Sequence, residues 1–234
     1  MNTQTLPISS RQFAVKSPAC RMRSFAAVLR CGLGEHAWSK LEPAIAARFS
    51  PYLSEDRPLH FIGTMQWVYC SLFGAAIARI VRRFSILPDT CARDTEFDFI
   101  IGVYNGEILK QRCYELGRRG RFTFTSLFRE QPRLHEEFGG GIGMYLGLTV
   151  NRGALLFRDR GYFLRIGRWR LPLPRWLTVG RFELLHRNID ERRFQIIIRV
   201  AHPFLGTLFY QRGEFRTRQS HCQREGSPLS PTPG

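Results

Sequence analysis

The chain has 234 residues, of which 44% are hydrophobic, and its 35 Lys and Arg against 19 Asp and Glu give a formal net charge of +16. This length and apolar fraction are those of one globular domain with a substantial core, which excludes wholesale disorder. The Gly and Pro residues follow no period, which excludes a fibrous chain. Six Cys in this length are too few for a disulfide scaffold.

The two ends of the chain are predicted to be disordered. Residues 1–34 contain no acidic side chain and five basic ones, which is typical of a mobile basic leader, with organelle targeting as the alternative. The last eight residues are rich in Pro. We therefore expect a disordered leader over residues 1–38, one globular domain over 39–217 and a disordered tail over 218–234.

The first helix is predicted over residues 40–48, with Ser39 as its N-cap. Residues 61–78 then carry no formal charge over 18 positions, which is the lower limit for a membrane span. Gly, Thr, Gln and Ser within this segment favour a strand over 61–69 and an amphipathic helix over 71–84 instead. A helix with an apolar face and basic flanks would also suit a membrane surface.

From residue 95 onward, apolar and polar residues alternate, which is the pattern of half-buried β-strands. The dipeptide Asn105-Gly106 is a strong signal for a two-residue hairpin, with one strand before it and a second over 107–116. Turns are expected at 151–153 and 160–161. The further strands are predicted at 122–128, 142–150, 154–158, 162–169, 181–187, 194–200 and 207–215.

These elements define a β-rich α+β fold with about eight or nine antiparallel strands and one or two N-terminal helices. Such a meander removes its edges by closing into a barrel or a strongly curled sheet, and the periodicity does not distinguish the two. The interior of either can hold an apolar ligand, with the helix over one end or face.

The common catalytic and metal-binding motifs are absent from the sequence. The Cys residues form no C-x-x-C pair and lie beside no His pair, so we expect no metal site and reduced thiols in a cytoplasmic protein. The Gly-rich segment 138–143 precedes a strand pattern rather than a helix, which disfavours a phosphate cradle. We therefore predict no cofactor, and most enzyme classes have no support.

The basic residues are almost all Arg and are partly concentrated. Between residues 152 and 199 there are 12 Arg and 4 acidic residues. Guanidinium groups bind carboxylates and phosphates well, which would suit an anionic partner. The alternative is that these Arg residues are scattered over the surface and only keep the domain soluble. The strip 165–176 interleaves Arg with Trp, which suits a bilayer interface or a stacked single strand. Peripheral contact with an anionic membrane is therefore an alternative function, and we do not expect nucleic acid as the main partner.

A few polar residues in apolar surroundings are candidates for a site. Glu136, Glu137 and Glu183 lie among apolar residues, where a carboxylate either pairs with Arg or has a raised pKa and serves as a general acid or base. Of these, Glu137 and Glu183 are the predicted site residues. His202 and Tyr210 would donate hydrogen bonds into a cavity or act as acid groups. For Glu137 and Glu183 a structural ion pair with Arg is the favoured alternative, and for His202 a structural role beside the turn at Pro203.

The order and spacing of several short motifs over residues 41–215 resemble the bacterial family known as domain of unknown function 4166. The motifs that carry the resemblance are Ile86-Leu87-Pro88, Asn105-Gly106-Glu107, Arg112, Phe124-Thr125-Ser126, Glu137-Phe138-Gly139, Leu171-Pro172-Leu173-Pro174, Glu183, His202-Pro203, Gly206, Tyr210 and Gly213.

The resemblance implies a set of recurrent polar positions and a metabolic context, without an activity. Its recurrent polar positions fall on Arg112, Glu137, Glu183, His202 and Tyr210 of this chain. Members of the family often follow a saccharopine-dehydrogenase-like NAD(P)-binding module, which implies a partner protein of that type. The sequence departs from the family at Leu109 and Cys113, where Trp and Phe are usual.

Three functions follow as hypotheses. The first is an accessory domain that binds an apolar small molecule or lipid, with Arg meeting an acidic head and His202 or Tyr210 orienting it. The second is an enzyme that uses Glu137 or Glu183 as a base with His202 and Tyr210 as acid groups. The third is electrostatic attachment to an anionic membrane or to nucleic acid.

Overall fold

The computed structural model of the protein describes residues 22–80, 91–117 and 120–218. The helices of this part are α1 (Phe25–Leu33), α2 (Glu35–Trp38), α3 (Pro43–Phe49) and α4 (Leu72–Ile80). Its strands are β1 (Arg23–Ser24), β2 (Tyr52–Leu53), β3 (Leu59–Cys70), β4 (Ala92–Tyr104), β5 (Glu107–Glu115), β6 (Arg121–Arg129), β7 (His135–Glu137), β8 (Ile142–Asn151), β9 (Ala154–Ile166), β10 (Trp169–Leu173), β11 (Arg181–Asn188), β12 (Arg193–His202) and β13 (Gly206–Thr217).

The main sheet is a closed antiparallel barrel. Eleven strands follow one another in the order β10-β9-β11-β12-β13-β3-β4-β5-β6-β7-β8, and β8 pairs again with β9 to complete the ring. β10 lies outside this ring and pairs with the C-terminal end of β9, so ten strands form the barrel wall. The predicted β-rich fold is confirmed, and of the two predicted architectures the closed barrel is the one found. The predicted strand count was slightly too low.

Two hairpin turns follow the sequence prediction closely. Asn105 and Gly106 both have positive φ, at 50° and 77°, as a type I′ turn requires. Arg152 and Gly153 repeat this arrangement between β8 and β9, with φ of 50° and 82°. Because the twist of such turns matches that of the flanking strands, these dipeptides fix the register of β4 with β5 and of β8 with β9.

The predicted turn at residues 160–161 is wrong. β9 continues through this point, and its register with β8 shifts between Tyr145 and Leu146, so that Arg160 is an extra residue in a bulge. Gly161, with φ of 125°, allows the bend. The chain reverses at residues 167–168 instead, and Pro172 fits in β10 because β10 is an edge strand.

The predicted leader over residues 1–38 is wrong for residues 23–38, which form β1, α1 and α2. Ser24 caps α1 by accepting a hydrogen bond from the Ala27 amide at 3.1 Å. Phe25 and Leu29 of α1 are completely buried in the main core. The ordered domain therefore begins before residue 39, and residues 1–21 lie outside the described part of the chain.

The other helical predictions are partly confirmed. α3 lies inside the predicted segment 40–48 but starts at Pro43, with Glu42 rather than Ser39 at the N-cap position. The uncharged segment 61–78 forms most of β3 and then α4, as predicted. The predicted end of α4 at residue 84 lies outside the described residues. Among the helices that are described, none is long and apolar enough to cross a bilayer.

The helices α1 and α3 close one end of the barrel. Phe25 of α1 and Phe49 of α3 pack against each other, with ring centroids 5.3 Å apart, and both face the barrel interior. Arg48 fixes α3 to β11 by donating hydrogen bonds to His186 Nε2 at 2.9 Å and to Asn188 Oδ1 at 2.7 Å. We call this the helix end of the barrel.

Candidate ligand-binding site

The interior of the barrel contains a cavity of about 120 Å³. Its wall is made mostly of Phe, Ile, Leu, Val and Met side chains. These residues alternate along the strands, for example Phe97, Phe99 and Ile101 on β4, because successive side chains of a strand point to opposite faces. The predicted alternation of β4 and β12 therefore gives the cavity its apolar surface.

The cavity opens at the end of the barrel opposite the helices. At the helix end, its lining side chains, such as Phe25 and Phe49, are buried. At the other end, Phe138, Val179 and Phe182 line the cavity and are partly exposed to solvent. We call this second end the open end.

A cluster of charged side chains interrupts the apolar wall. Lys110 and Arg112, two residues apart on β5, point inward together with Glu136 of β7 and Ser126 of β6. Glu136 accepts hydrogen bonds from Arg112 Nη2 at 2.7 Å, from Lys110 Nζ at 3.2 Å and from the Ser126 hydroxyl. Ser126 Oγ accepts a further bond from Arg112 Nη1 at 2.9 Å. We call these four residues the interior ionic cluster.

The interior ionic cluster carries excess positive charge at neutral pH. Burial alone would raise the pKa of Glu136, but Lys110 and Arg112 outweigh burial and hold that pKa at about 2. Burial lowers the pKa of the Lys110 amine to about 8, although Glu136 partly opposes this. Below pH 8 two cations therefore face one carboxylate. The aromatic wall adds support, since Lys110 Nζ lies 3.6 Å from the centroid of the Phe128 ring.

The remaining polar groups of the cavity wall are neutral. Burial raises the pKa of Tyr114 to about 12, and its hydroxyl donates to Gln211 Oε1 at 2.9 Å. Burial and the nearby Arg48 guanidinium lower the pKa of His186 to about 3, so this ring is uncharged at neutral pH. Neither group offsets the positive charge of the interior ionic cluster.

Of the five site residues predicted from sequence, Arg112 is the one that lines the cavity. Glu137 follows Glu136 on β7 and therefore points to the outer face of the barrel. There it is buried among the residues of an outer ionic cluster. Its carboxylate contacts Arg129, Arg165 at 3.2 Å, Arg170 at 3.2 Å and His135 at 3.4 Å. Burial alone would raise the pKa of Glu137, but these Arg side chains lower it overall.

Glu183 and Tyr210 also lie on the outer face, because Phe182, Leu184, Phe209 and Gln211 of the same strands line the cavity. Glu183 pairs with Arg158 at 2.8 Å, and both side chains are about half exposed. Arg199 lies between Glu183 and Tyr210 in the strand register. These residues form a row across the outer wall, away from the cavity.

His202 ends β12 and is nearly buried, but it does not line the cavity. Its Nδ1 accepts a hydrogen bond from the Phe204 amide at 3.3 Å, which holds the β12–β13 turn. Within the described residues, no hydrogen bond or ion pair joins Glu137, Glu183, His202 and Tyr210 to one another. The structure therefore does not bring the predicted polar residues together in one place.

The sequence reasoning overlooked Lys110, and of the adjacent pair Glu136 and Glu137 it took Glu137 as the site residue. A signal for Lys110 was present, since it stands in an apolar strand segment, two residues before Arg112, in a chain with three Lys and 32 Arg. Glu136 and Glu137 are adjacent, and the short strand β7 offers no alternation that shows which one faces inward.

Comparisons with known proteins give one family and no named relative. A search of curated proteins found no match. A family model described as a domain of unknown function, DUF4166, matches residues 41–215. This range contains β2 and β3, all the later strands up to most of β13, and every cavity-lining residue except Phe25. The resemblance noted in the sequence is thereby confirmed, and the chain belongs to the DUF4166 family.

Proposed function

We propose that this protein binds an apolar small molecule with one anionic head group inside the barrel. The head group would lie against Lys110 and Arg112, and the apolar part would fill the cavity along its Phe and Leu side chains. The observation that carries this proposal is the excess positive charge of the interior ionic cluster.

An uncompensated charge in an apolar interior costs several kcal/mol, so buried charges are normally paired. Among the acidic side chains that the structure describes, Glu136 alone lines the cavity, against two cations. Lys110 donates to one acceptor and Arg112 to two among the described residues, whereas an ammonium has three N–H groups and a guanidinium five. An incoming carboxylate would balance the charge and use these remaining donors.

The size of the cavity limits the ligand. An engineered apolar cavity of about 150 Å³ holds one benzene molecule. A cavity of about 120 Å³ therefore encloses a compact ring or a short alkyl chain, and the end of a longer chain, such as that of octanoate, would extend into the open mouth. A carboxylate suits the head-group position because a guanidinium binds it through two parallel hydrogen bonds. The proposed ligand class is thus a small apolar carboxylic acid.

The test is calorimetric titration with octanoate and with octan-1-ol, which has the same chain length and no charge. We expect saturable binding of one octanoate per chain and much weaker binding of the alcohol. Arg112→Gln and Lys110→Met should each weaken octanoate binding roughly tenfold or more, the value of a lost charge-assisted hydrogen bond. Arg158→Gln, on the outer wall, is the matched control and should bind octanoate normally. Equal binding of acid and alcohol would contradict the proposal.

An acid–base reaction is not part of this proposal. Glu137 and Glu183 lie outside the cavity, and both are held in ion pairs with Arg. A role for His202 or Tyr210 in orienting the ligand has no support from the cavity wall, which contains neither. An NAD(P)-binding partner protein, which the family resemblance implied, stays a prediction.

A further inference from the structure

Large apolar side chains are exposed at the open end of the barrel. Leu72 and Phe204 are exposed to 90% and 83%, Trp176 and Trp169 to 71% and 66%, and Leu177 and Phe73 to about 60%. We call these six residues the apolar rim. Single exposed hydrophobic residues are normal, but a group of this size at one end of a fold marks an interaction surface.

The strand directions place all six residues at the same end. β9 runs from the helix end towards the open end, so the β9–β10 hairpin and the turn with Trp176 lie beyond the start of β11. The β12–β13 turn with Phe204 lies at the same end, because β12 is antiparallel to β11. Cys70, the last residue of β3, pairs with Phe209 near this turn, and α4 begins directly after it.

The apolar rim is also continuous with the mouth of the cavity. β9, β11, β12, β13 and β3 are consecutive strands of the barrel, so the rim follows one arc of its edge. Val179 and Phe182, which line the mouth of the cavity, come directly after the turn that exposes Trp176 and Leu177. A partner on the rim would therefore cover the entrance to the cavity.

The segment of this end that carries Trp169 and Trp176 is strongly positive. Residues 160–182 contain six Arg and no acidic residue. Arg165 and Arg170 are held by Glu137 of the outer ionic cluster. Arg168 and Arg175 are exposed, and neither has an acidic partner in the described part of the chain. The surface beside the apolar rim is thus suited to a partner with negative charge.

We propose that the open end of the barrel docks on a lipid bilayer that contains anionic lipids. Trp and Leu of the apolar rim enter the interface between head groups and acyl chains, and Arg168 and Arg175 bind anionic head groups. The mouth of the cavity then faces the membrane. If the proposed ligand binding is also correct, an apolar acid would pass between bilayer and barrel without crossing water.

Charge and chemistry favour a membrane over other partners. A second copy of this chain would bring two basic surfaces together, which is unfavourable. Single-stranded nucleic acid binds through aromatic rings on which bases stack. Leu72 and Leu177 have no ring for stacking, yet they are among the exposed members of the rim. Aliphatic and Trp side chains beside Arg are the composition expected at a bilayer interface.

The test is co-flotation of the full chain with vesicles. Vesicles of phosphatidylcholine with phosphatidylglycerol should bind the protein, and binding should weaken as salt is added. Vesicles of phosphatidylcholine alone should bind it much less. An interfacial Arg contributes about 1 kcal/mol, or roughly fivefold in affinity, so Arg168→Gln with Arg175→Gln should weaken binding roughly thirtyfold. Trp169→Ala with Trp176→Ala should weaken it at least about tenfold, since apolar burial is lost.

Matched controls lie at the helix end of the same barrel. Arg187→Gln with Arg192→Gln removes two exposed charges, and Tyr52→Ala with Tyr104→Ala removes two exposed aromatic rings. Both control pairs should bind vesicles as the unchanged protein does. The proposal is overturned if the control pairs reduce binding as much as the rim variants. It is also overturned if a single-stranded oligonucleotide binds in the same assay while anionic vesicles do not.

The docking proposal and the ligand-binding proposal can be tested independently of each other. The variants Arg168→Gln with Arg175→Gln should still bind octanoate in solution, because neither residue lines the cavity. Arg112→Gln should still dock on anionic vesicles, because its side chain points inward. If the unchanged protein docks on anionic vesicles but does not bind octanoate, the cavity proposal alone is refuted. If it binds octanoate but does not dock, the membrane proposal alone is refuted.

Discussion

Replacing Glu136 by Gln removes the negative charge of the interior ionic cluster while keeping the shape of the side chain. The pKa of Glu136 lies at about 2 instead of 4.5. At about 1.4 kcal/mol per pKa unit, the folded chain favours the ionised carboxylate by about 3 kcal/mol more than the unfolded chain does. Glu136→Gln should therefore lower the free energy of unfolding at pH 7 by about 3 kcal/mol, as expected when a buried charge partner is lost.

The assay is urea unfolding at pH 7 followed by Trp fluorescence. Glu183→Gln is the control, because it removes an exposed carboxylate paired with Arg158 and should change the stability by at most about 1 kcal/mol. The same variants should then be titrated with octanoate. Glu136→Gln leaves Lys110 and Arg112 without their carboxylate, so its octanoate affinity should rise above that of the unchanged protein.

Two results would refute this reasoning. A stability loss no larger than that of Glu183→Gln would mean that Glu136 does not compensate the buried cations. A large stability loss without any gain in octanoate affinity would mean that the cluster is purely structural. In the expected case, octanoate at a hundred times its Kd should restore about 2.7 kcal/mol of the lost stability.

Three further predictions follow from the geometry of the barrel. The amine of Lys110 should titrate near pH 8, and ¹⁵N NMR of the three Lys side chains measures this pKa. Between pH 8 and 10.5 the unfolded chain holds a proton on this amine that the folded chain has lost. The free energy of unfolding should therefore rise with pH over this range. Tyr114→Phe leaves the Gln211 carbonyl without its donor and should cost about 1–3 kcal/mol in urea unfolding. In Gly63→Ala the new Cβ would lie 2.0 Å from the Glu214 carbonyl oxygen, so β3 and β13 must separate, and calorimetric unfolding should show a loss of about 1–3 kcal/mol or more.

Local patterns predicted most of the barrel. Alternation in β4 and β12 identified which residues face inward, and Asn105-Gly106 located a hairpin, because both signals depend on neighbouring residues alone. The sequence did not decide between a closed barrel and a curled sheet, because closure depends on the pairing of β8 with β9 and on the bulge at Arg160. A bulge of this kind leaves the residue composition of a strand almost unchanged, so the sequence pattern does not reveal it.

The start of the domain and the site were harder to predict. The apolar segment of α1 is short, and its helix is stabilised by the burial of Phe25 and Leu29 on the barrel rather than by a long apolar pattern. For the site, a shift of one residue reverses inside and outside on a strand. Glu137 was chosen as a site residue, but its neighbour Glu136 is the one that faces the cavity. Glu183 and Tyr210 were also chosen, and they face outward because their neighbours on the same strands face inward.

The central claim is that the barrel holds an apolar acid against Lys110 and Arg112. Its most direct test is native mass spectrometry of protein purified from its own host, followed by solvent extraction and identification of the released molecule. The account predicts one apolar carboxylic acid per chain, and its loss from Arg112→Gln purified in the same way. A stoichiometric ligand without an acidic group would contradict the account, as would an empty protein that does not take up octanoate.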